Sequence, residues 1–118
     1  MLFRSVKFVY FPFDISNKTE LCCEIARQIS GVQNWMIEYE IAKFGLESEI
    51  LSRPFCQLSG GEQTKFLLSI LFLKDNAFLL IDEPTNHLDA EARQIVAEYL
   101  NMKTGFIIVS HDLSLIHI

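Results

Sequence analysis

The stretch that most constrains this chain is Phe78 to Asp89, FLLIDEPTNHLD. Four large apolar residues, Phe78 to Ile81, make a short run of the kind a buried parallel strand shows. Asp82 and Glu83 follow at once, and Pro84, which has no N–H to give, stops further strand pairing. Adjacent acids are a poor end for a core strand, because buried ionised groups must be paired or bind a metal. Alternation along an extended chain sends the two side chains to opposite sides. One acid can then face a cation while its neighbour faces a reacting water. Nucleotide hydrolysis needs that division: Mg²⁺ to neutralise phosphates and a base to orient the attacking water.

The residues after the acids extend this into a supersecondary unit. Ala92, Ile95, Val96, Tyr99 and Leu100 fall at i, i+3, i+4, i+7 and i+8, the pattern of a one-faced amphipathic helix. Gly105 follows it, and Phe106 to Val109 form a second apolar strand. The spacing predicts a right-handed βαβ unit with parallel strands. Asp82-Glu83 end one strand and Ser110-His111 the other, so these groups converge on the crevice beyond the strands' carboxyl ends. Upstream, Ser59-Gly60-Gly61-Glu62 reads as a capping box on a helix running to about Leu73. Its glycines let an anion approach the exposed N–H groups of a helix N-terminus. Taken alone, an ordinary Ser-capped helix explains the same four residues. Phe66 to Leu68 and Ile70 to Phe72 make that helix apolar nearly all round, so burial on most sides is expected.

The first half carries no chemistry of its own in its pattern. Val6, Phe8 and Tyr10 alternate with Ser5, Lys7 and Val9, which suits a strand ending at Pro12. Asn17 and Glu20 predict a helix start of capping-box type. Cys22, Ile25, Ala26 and Ile29 then recur at helical spacing up to Ser30-Gly31. A second helix is expected from about Asn34 to Phe44, with Trp35, Tyr39 and Ala42 as its buried stripe, Glu38 and Lys43 outside, and Gly45 closing it. Glu47 to Leu51 suggest a short further turn before Pro54.

Composition removes several function classes. Half of the residues are hydrophobic, too many for a disordered chain. The net charge of −5, with basic residues scattered singly, argues against this segment gripping nucleic acid. No run approaches the ~20 apolar residues of a membrane helix, and Met1 to Arg4 do not begin a secretory signal. Cytoplasmic localisation without membrane insertion is the expectation. Cys22, Cys23 and Cys56 have no metal-ligand spacing and are read as reduced, mostly buried side chains.

Three motifs in register carry a resemblance. FLLIDEPTNHLD resembles the Walker B segment and D-loop of ATP-binding-cassette (ABC) ATPases, LSGGEQTK at Leu58 to Lys65 resembles their signature motif, and His111 falls where they keep a switch histidine. Asn86-His87 and Gln63-Thr64-Lys65 are most similar to the ribosome-acting ABC-F branch. PFCQLSGGEQTKFLLSILFL and GFIIVSHD resemble its antibiotic-resistance, ribosome-protection type. The resemblance implies an α/β fold: part of a P-loop NTPase ABC domain, with a parallel βαβ core and a helical subdomain. Residues 1–15 would be a strand and Q-loop-like segment, 16–58 the helical subdomain, and 59–118 the signature helix, Walker B, D-loop and switch-histidine part.

The resemblance also implies roles. Asp82 would hold Mg²⁺ through a water, Glu83 would be the general base, and His111 would reach the γ-phosphate of ATP. Ser59, Gly60, Gly61 and Glu62 would meet the nucleotide of a second, head-to-tail ABC domain. Asp89 would organise that interface, although a plain helix N-cap explains it almost as well. Phe13 stands where the family keeps its Q-loop glutamine, and Leu113 where ABC-F proteins usually carry an arginine. No G-x-x-x-x-G-K-[ST] occurs in the sequence. The chain is therefore expected to be a fragment, roughly the second half of one ATPase domain and inactive alone. Ribosome contacts would come from other parts of the protein. The competing expectations are the ATPase subunit of a membrane transporter and a non-catalytic remnant without a phosphate loop.

Overall fold

A computed structural model of the chain describes residues 7–86 and 88–110. Three strands, β1 (Lys7–Phe11), β2 (Ala77–Asp82) and β3 (Phe106–Val109), form one parallel sheet in the order β1-β2-β3. Phe11 lies opposite Ile81, and Asp82 opposite Val109. The expected βαβ unit is present: β2, then α4 (Ala90–Asn101), then β3 beside and parallel to β2. Helix α3 (Gly60–Leu73) packs against β2 and against α1 (Cys22–Ser30) and α2 (Asn34–Ala42). Phe66 through Leu71 are buried without interruption, so α3 is the shared core of the sheet and the helical unit.

The sheet buries one face only. Val9, Phe11, Leu79, Ile81, Phe106 and Ile108 join the core, whereas Phe8 and Tyr10 are 70% and 53% exposed and Ile107 and Val109 are also exposed. Parallel sheets are ordinarily covered on both faces, so the apolar alternation of β1 reflects a surface that the described residues do not cover.

Two expectations in the helical unit are corrected. Asn17 and Glu20 do not start α1: the helix begins at Cys22, with Leu21 at its N-cap and no side-chain cap. Asn17 Oδ1 instead accepts from the N–H and hydroxyl of Thr19 in a local turn, and Glu20 accepts from Gln28 Nε2 at 2.9 Å. The start is set non-locally. Cys22 N–H donates to Arg53 O, Phe55 N–H to Glu20 O and Cys56 N–H to Lys18 O, which holds 18–22 alongside 53–56 until the helix departs.

The buried face of α2 is also different from the expected one. Trp35 and Tyr39 are 65% and 67% exposed and Ala42 is exposed, while Ile37, Glu40 and Ile41 are buried. Both faces of this helix carry apolar residues, so periodicity does not choose between them. Glu40 is a carboxylate on this buried face, and its charge is paired there. Lys103 Nζ lies 2.5 Å from Oε2, Lys43 Nζ 3.1 Å from Oε1, and Tyr99 donates its hydroxyl to Oε2 at 2.5 Å. Phe44 stacks on Tyr99 at 3.9 Å between ring centroids, completing the seam between α2 and α4. Gly45 adopts φ +77° after α2, as its place in the sequence predicts. Residues Ser48–Ser52 form the expected short turn, tighter than an α-helix. Of the three cysteines, Cys22 is buried but Cys56 is exposed, contrary to the expectation that they are mostly buried.

Candidate functional site

The C-terminal edge of the sheet positions the acids. Asp82 is the last residue of β2, and its place in the register, two residues after Leu80, puts its side chain on the uncovered face with Tyr10 and Val109. The Tyr10 hydroxyl donates to Asp82 Oδ2 at 2.7 Å. That hydrogen bond, with partial burial and the nearby carboxylate charge, holds the Tyr10 phenol above its ordinary pKa. Glu83 leaves the strand. Its φ is +47°, a left-handed conformation that costs a non-glycine residue energy, and its N–H donates to Val109 O at 2.7 Å. Glu83 thus leaves the strand in a left-handed turn, so alternation along an extended chain does not set the direction of its side chain as the sequence suggests, and both acids line one cleft. Pro84 and Thr85 are buried beneath the turn that follows.

Asp82 and Glu83 share an open cleft of about 380 Å³ with Tyr10, Pro12, Thr64 and Asn86. The neighbouring strand end contributes Ser110, whose hydroxyl donates to Glu83 Oε2 at 3.4 Å. The two strand ends thus meet, as the βαβ reading requires. His111 lies outside the described residues, as does His87.

The helix tip is open. Ser59 Oγ accepts from Glu62 N–H at 3.2 Å and Glu62 Oε1 accepts from Ser59 N–H at 2.9 Å, the full capping box. Both carboxylate and hydroxyl are thereby engaged, and the N–H groups of Gly60 and Gly61 are left at the electropositive end of the helix. Ser59, Gly61, Glu62 and Lys65 line a second cleft of about 400 Å³ with Leu88 and Asp89. Asp89 Oδ1 accepts from Ala92 N–H at 2.8 Å and so caps α4. The expected site residues consequently divide in two: Asp82 and Glu83 at one cleft, Ser59, Gly61, Glu62 and Asp89 at the other, with Gly60 exposed at the α3 tip.

Neither glycine of the tip is demanded by this chain's own fold. Neither Gly60 nor Gly61 has a positive φ. A Cβ at Gly60 would meet nothing within 4 Å, and one at Gly61 would touch only the Leu88 side chain at 3.6 Å. Phe13 is half-buried against the core and lines a separate small hollow with Ile25 and Ile29, so it adds nothing polar to the acidic cleft. Tyr10 and Thr64 were not among the residues expected at the site. Tyr10 was legible as the last exposed-face position of a strand whose neighbour ends in acids; Thr64 carried no signal of that kind.

A cation would find one hard oxygen donor, Asp82, at the edge of the cleft, with Glu83 next to it. No cluster of three or more histidine, cysteine or carboxylate side chains occurs among the described residues. That donor set fits Mg²⁺, which takes one or two protein carboxylates and completes its shell with waters and phosphate oxygens. It does not fit a closed structural metal site.

Parallel strands ending in acids, a capped helix tip and the helical unit packed on α3 define part of an ABC-type P-loop NTPase domain. A family model described as "AAA domain", with AbiEii toxin and a type IV TA system also in its description, matches residues 44–117, more than half of the chain. The chain belongs to this ATPase family and is homologous to ABC ATPase domains. It is 32% identical over 114 residues to mouse ATP-binding cassette sub-family F member 3, covering 92% of the chain and 16% of that protein. It is 41% identical over 78 residues to yeast (Saccharomyces cerevisiae) elongation factor 3B, covering 65% of the chain and 8% of that protein. The fold superposes on a dimeric bacterial ABC transporter cassette, MJ0796, with a TM-score of 0.72 at 18% identity, covering 94% of this chain and 54% of that one. The chain thus spans about a sixth of the mouse relative's length and about half of a cassette.

Proposed function

We propose that this chain is the signature-to-switch part of an ABC-F-type ATPase, which binds and hydrolyses ATP with Mg²⁺ when complete and acts in the cytoplasm on the ribosome. The observation that carries the ATPase reading is the meeting of the strand ends. Asp82 lies on the open face beside Tyr10, while Glu83 is turned out of the strand and hydrogen-bonded to Ser110. In this reading Asp82 holds Mg²⁺, which would supply charge neutralisation of the phosphates. Glu83 accepts a hydrogen bond from the attacking water and orients it. His111, next to Ser110 in sequence, is assigned the contact with the γ-phosphate by its motif position alone.

Ser59, Gly60, Gly61 and Glu62 present the α3 tip to the nucleotide of a second ABC domain, and Asp89 sits at the junction between the two. Two features support this assignment: the tip opens on a different cleft from the acids, and its glycines keep clear a space that the described residues do not fill. The missing phosphate cradle belongs to the remainder of the parent domain, which would also cover the exposed sheet face. The ribosomal assignment, and its ribosome-protection form, rest on the motif DEPTNHLD, on Gln63-Thr64-Lys65, and on the sub-family F and elongation-factor relatives.

In the intact parent protein, Glu83→Gln should stop phosphate release and retain ATP in a closed state that pellets with ribosomes. Parental turnover by this variant would remove Glu83 from the role of base. Sedimentation of the parent with membranes instead of ribosomes would favour a transporter subunit.

A further inference from the structure

We infer that Tyr10 is a positioning residue for Asp82: its hydroxyl fixes one carboxylate oxygen so that the other is presented to the metal. This inference rests on the ATPase reading and deepens it. Tyr10 lies opposite Leu80 in the β1–β2 register, so Asp82 is its diagonal neighbour on the same face. That diagonal position on the adjacent parallel strand is within reach of a tyrosine, as the hydroxyl contact shows. The phenol donates to Oδ2 at 2.7 Å, a charge-assisted bond of ordinary length. Among the described residues it is the one side chain that hydrogen-bonds Asp82.

The ring itself does little for the core. Tyr10 is half exposed on the uncovered face, so its hydroxyl is the group that needs explaining. Position 13 cannot supply the same contact, since Phe13 is apolar and lines the hollow beside Ile25 and Ile29. From the β1 side, then, the polar group that reaches the acidic cleft is the Tyr10 hydroxyl. Residues that hydrogen-bond a metal-ligating carboxylate typically change metal affinity about 10–100-fold when removed. A half-exposed tyrosine at the surface sits at the low end of that range.

The test uses the intact parent protein with Mn²⁺ as the probe, read by electron paramagnetic resonance in the presence of a non-hydrolysable ATP analogue. Tyr10→Phe should weaken Mn²⁺ binding roughly 10-fold, leave metal-free analogue affinity unchanged and leave the melting temperature within about 2 °C. In an Asp82→Asn background the same substitution should change Mn²⁺ binding no further. Unchanged Mn²⁺ affinity in Tyr10→Phe, with normal binding by the parent, would overturn the positioning role and leave the ATPase reading intact. Equal losses in metal-bound and metal-free affinity would overturn it too, by pointing to packing. A parent that binds neither probe overturns both readings, and Glu83→Gln trapping reports on the ATPase reading separately.

Discussion

Gly60→Ala separates what the signature tip does for this chain from what it leaves free for a visitor. Gly60 is the first residue of α3, follows the Ser59 cap, lacks a positive φ, and would place a Cβ in open space. Nothing among the described residues therefore resists alanine. Exchanging glycine for alanine at a compatible helical position stabilises by about 0.4–1 kcal/mol, chiefly by restricting the unfolded chain. At the first helical position only part of that gain applies, because the residue is not in the helix interior. With about 4 °C per kcal/mol for a chain of this size, the melting temperature should stay level or rise by about 2 °C. Catalysis should move the other way. A methyl group at an anion-facing helix tip displaces the approaching phosphate, and a loss of about 1.4 kcal/mol in that contact is a tenfold loss in rate. The assays are thermal unfolding of the chain by circular dichroism and ATP turnover of the parent. A melting temperature lower by several degrees would show that the fold itself requires the glycine. Unchanged turnover would show that nothing occupies the space beside it.

Two further predictions concern the interior. Glu40→Ala removes the partner of two lysines and a buried tyrosine, and breaking a buried pair costs about 3–5 kcal/mol; partial exposure of Lys43 and Lys103 puts the expected loss near the lower figure, read as a fall in the urea midpoint. Burial opposes the Glu40 charge, but hydrogen bonds from Lys103, Tyr99 and Lys43 outweigh it and hold the carboxyl below its ordinary pKa. The stability from Glu40 is thus fully present above the ordinary carboxylate range and lost as pH falls through the folded value. A Glu40→Gln variant should lose that part of the acid dependence, and identical acid denaturation profiles would contradict it. Alkylation at neutral pH should modify exposed Cys56 first. Cys22, buried and pushed up to about 11 by burial and by Cys23, should react only on unfolding; early labelling of Cys22 by mass spectrometry would contradict the packing of α1 on α3.

How much of this was legible beforehand depends on where each signal is stored. The FLLIDEPT run, the Ser59 box and the 92–100 stripe are local, so strand, cap and helix could be read directly, and the parallel pairing of β2 with β3 followed from the crossover rule. The start of α1 was not legible, because backbone bonds to 53–56 override the Asn17 turn. Nor was the buried face of α2, since Glu40 is acceptable inside only with Lys103 and Tyr99 supplied from a distant part of the chain. The acids show the same split at the site: their identity was in the sequence, but their geometry was not.

The sequence alone, then, determined the order of elements, the cap chemistry and the membership in an ATPase family, because these depend on neighbours within a few residues. Tertiary structure decided that Glu83 turns out of its strand, that Tyr10 holds Asp82, and that the acids and the signature tip open on different clefts. Each of those outcomes depends on strand register and helix packing, which join residues far apart in the chain and cannot be set by any one stretch of it.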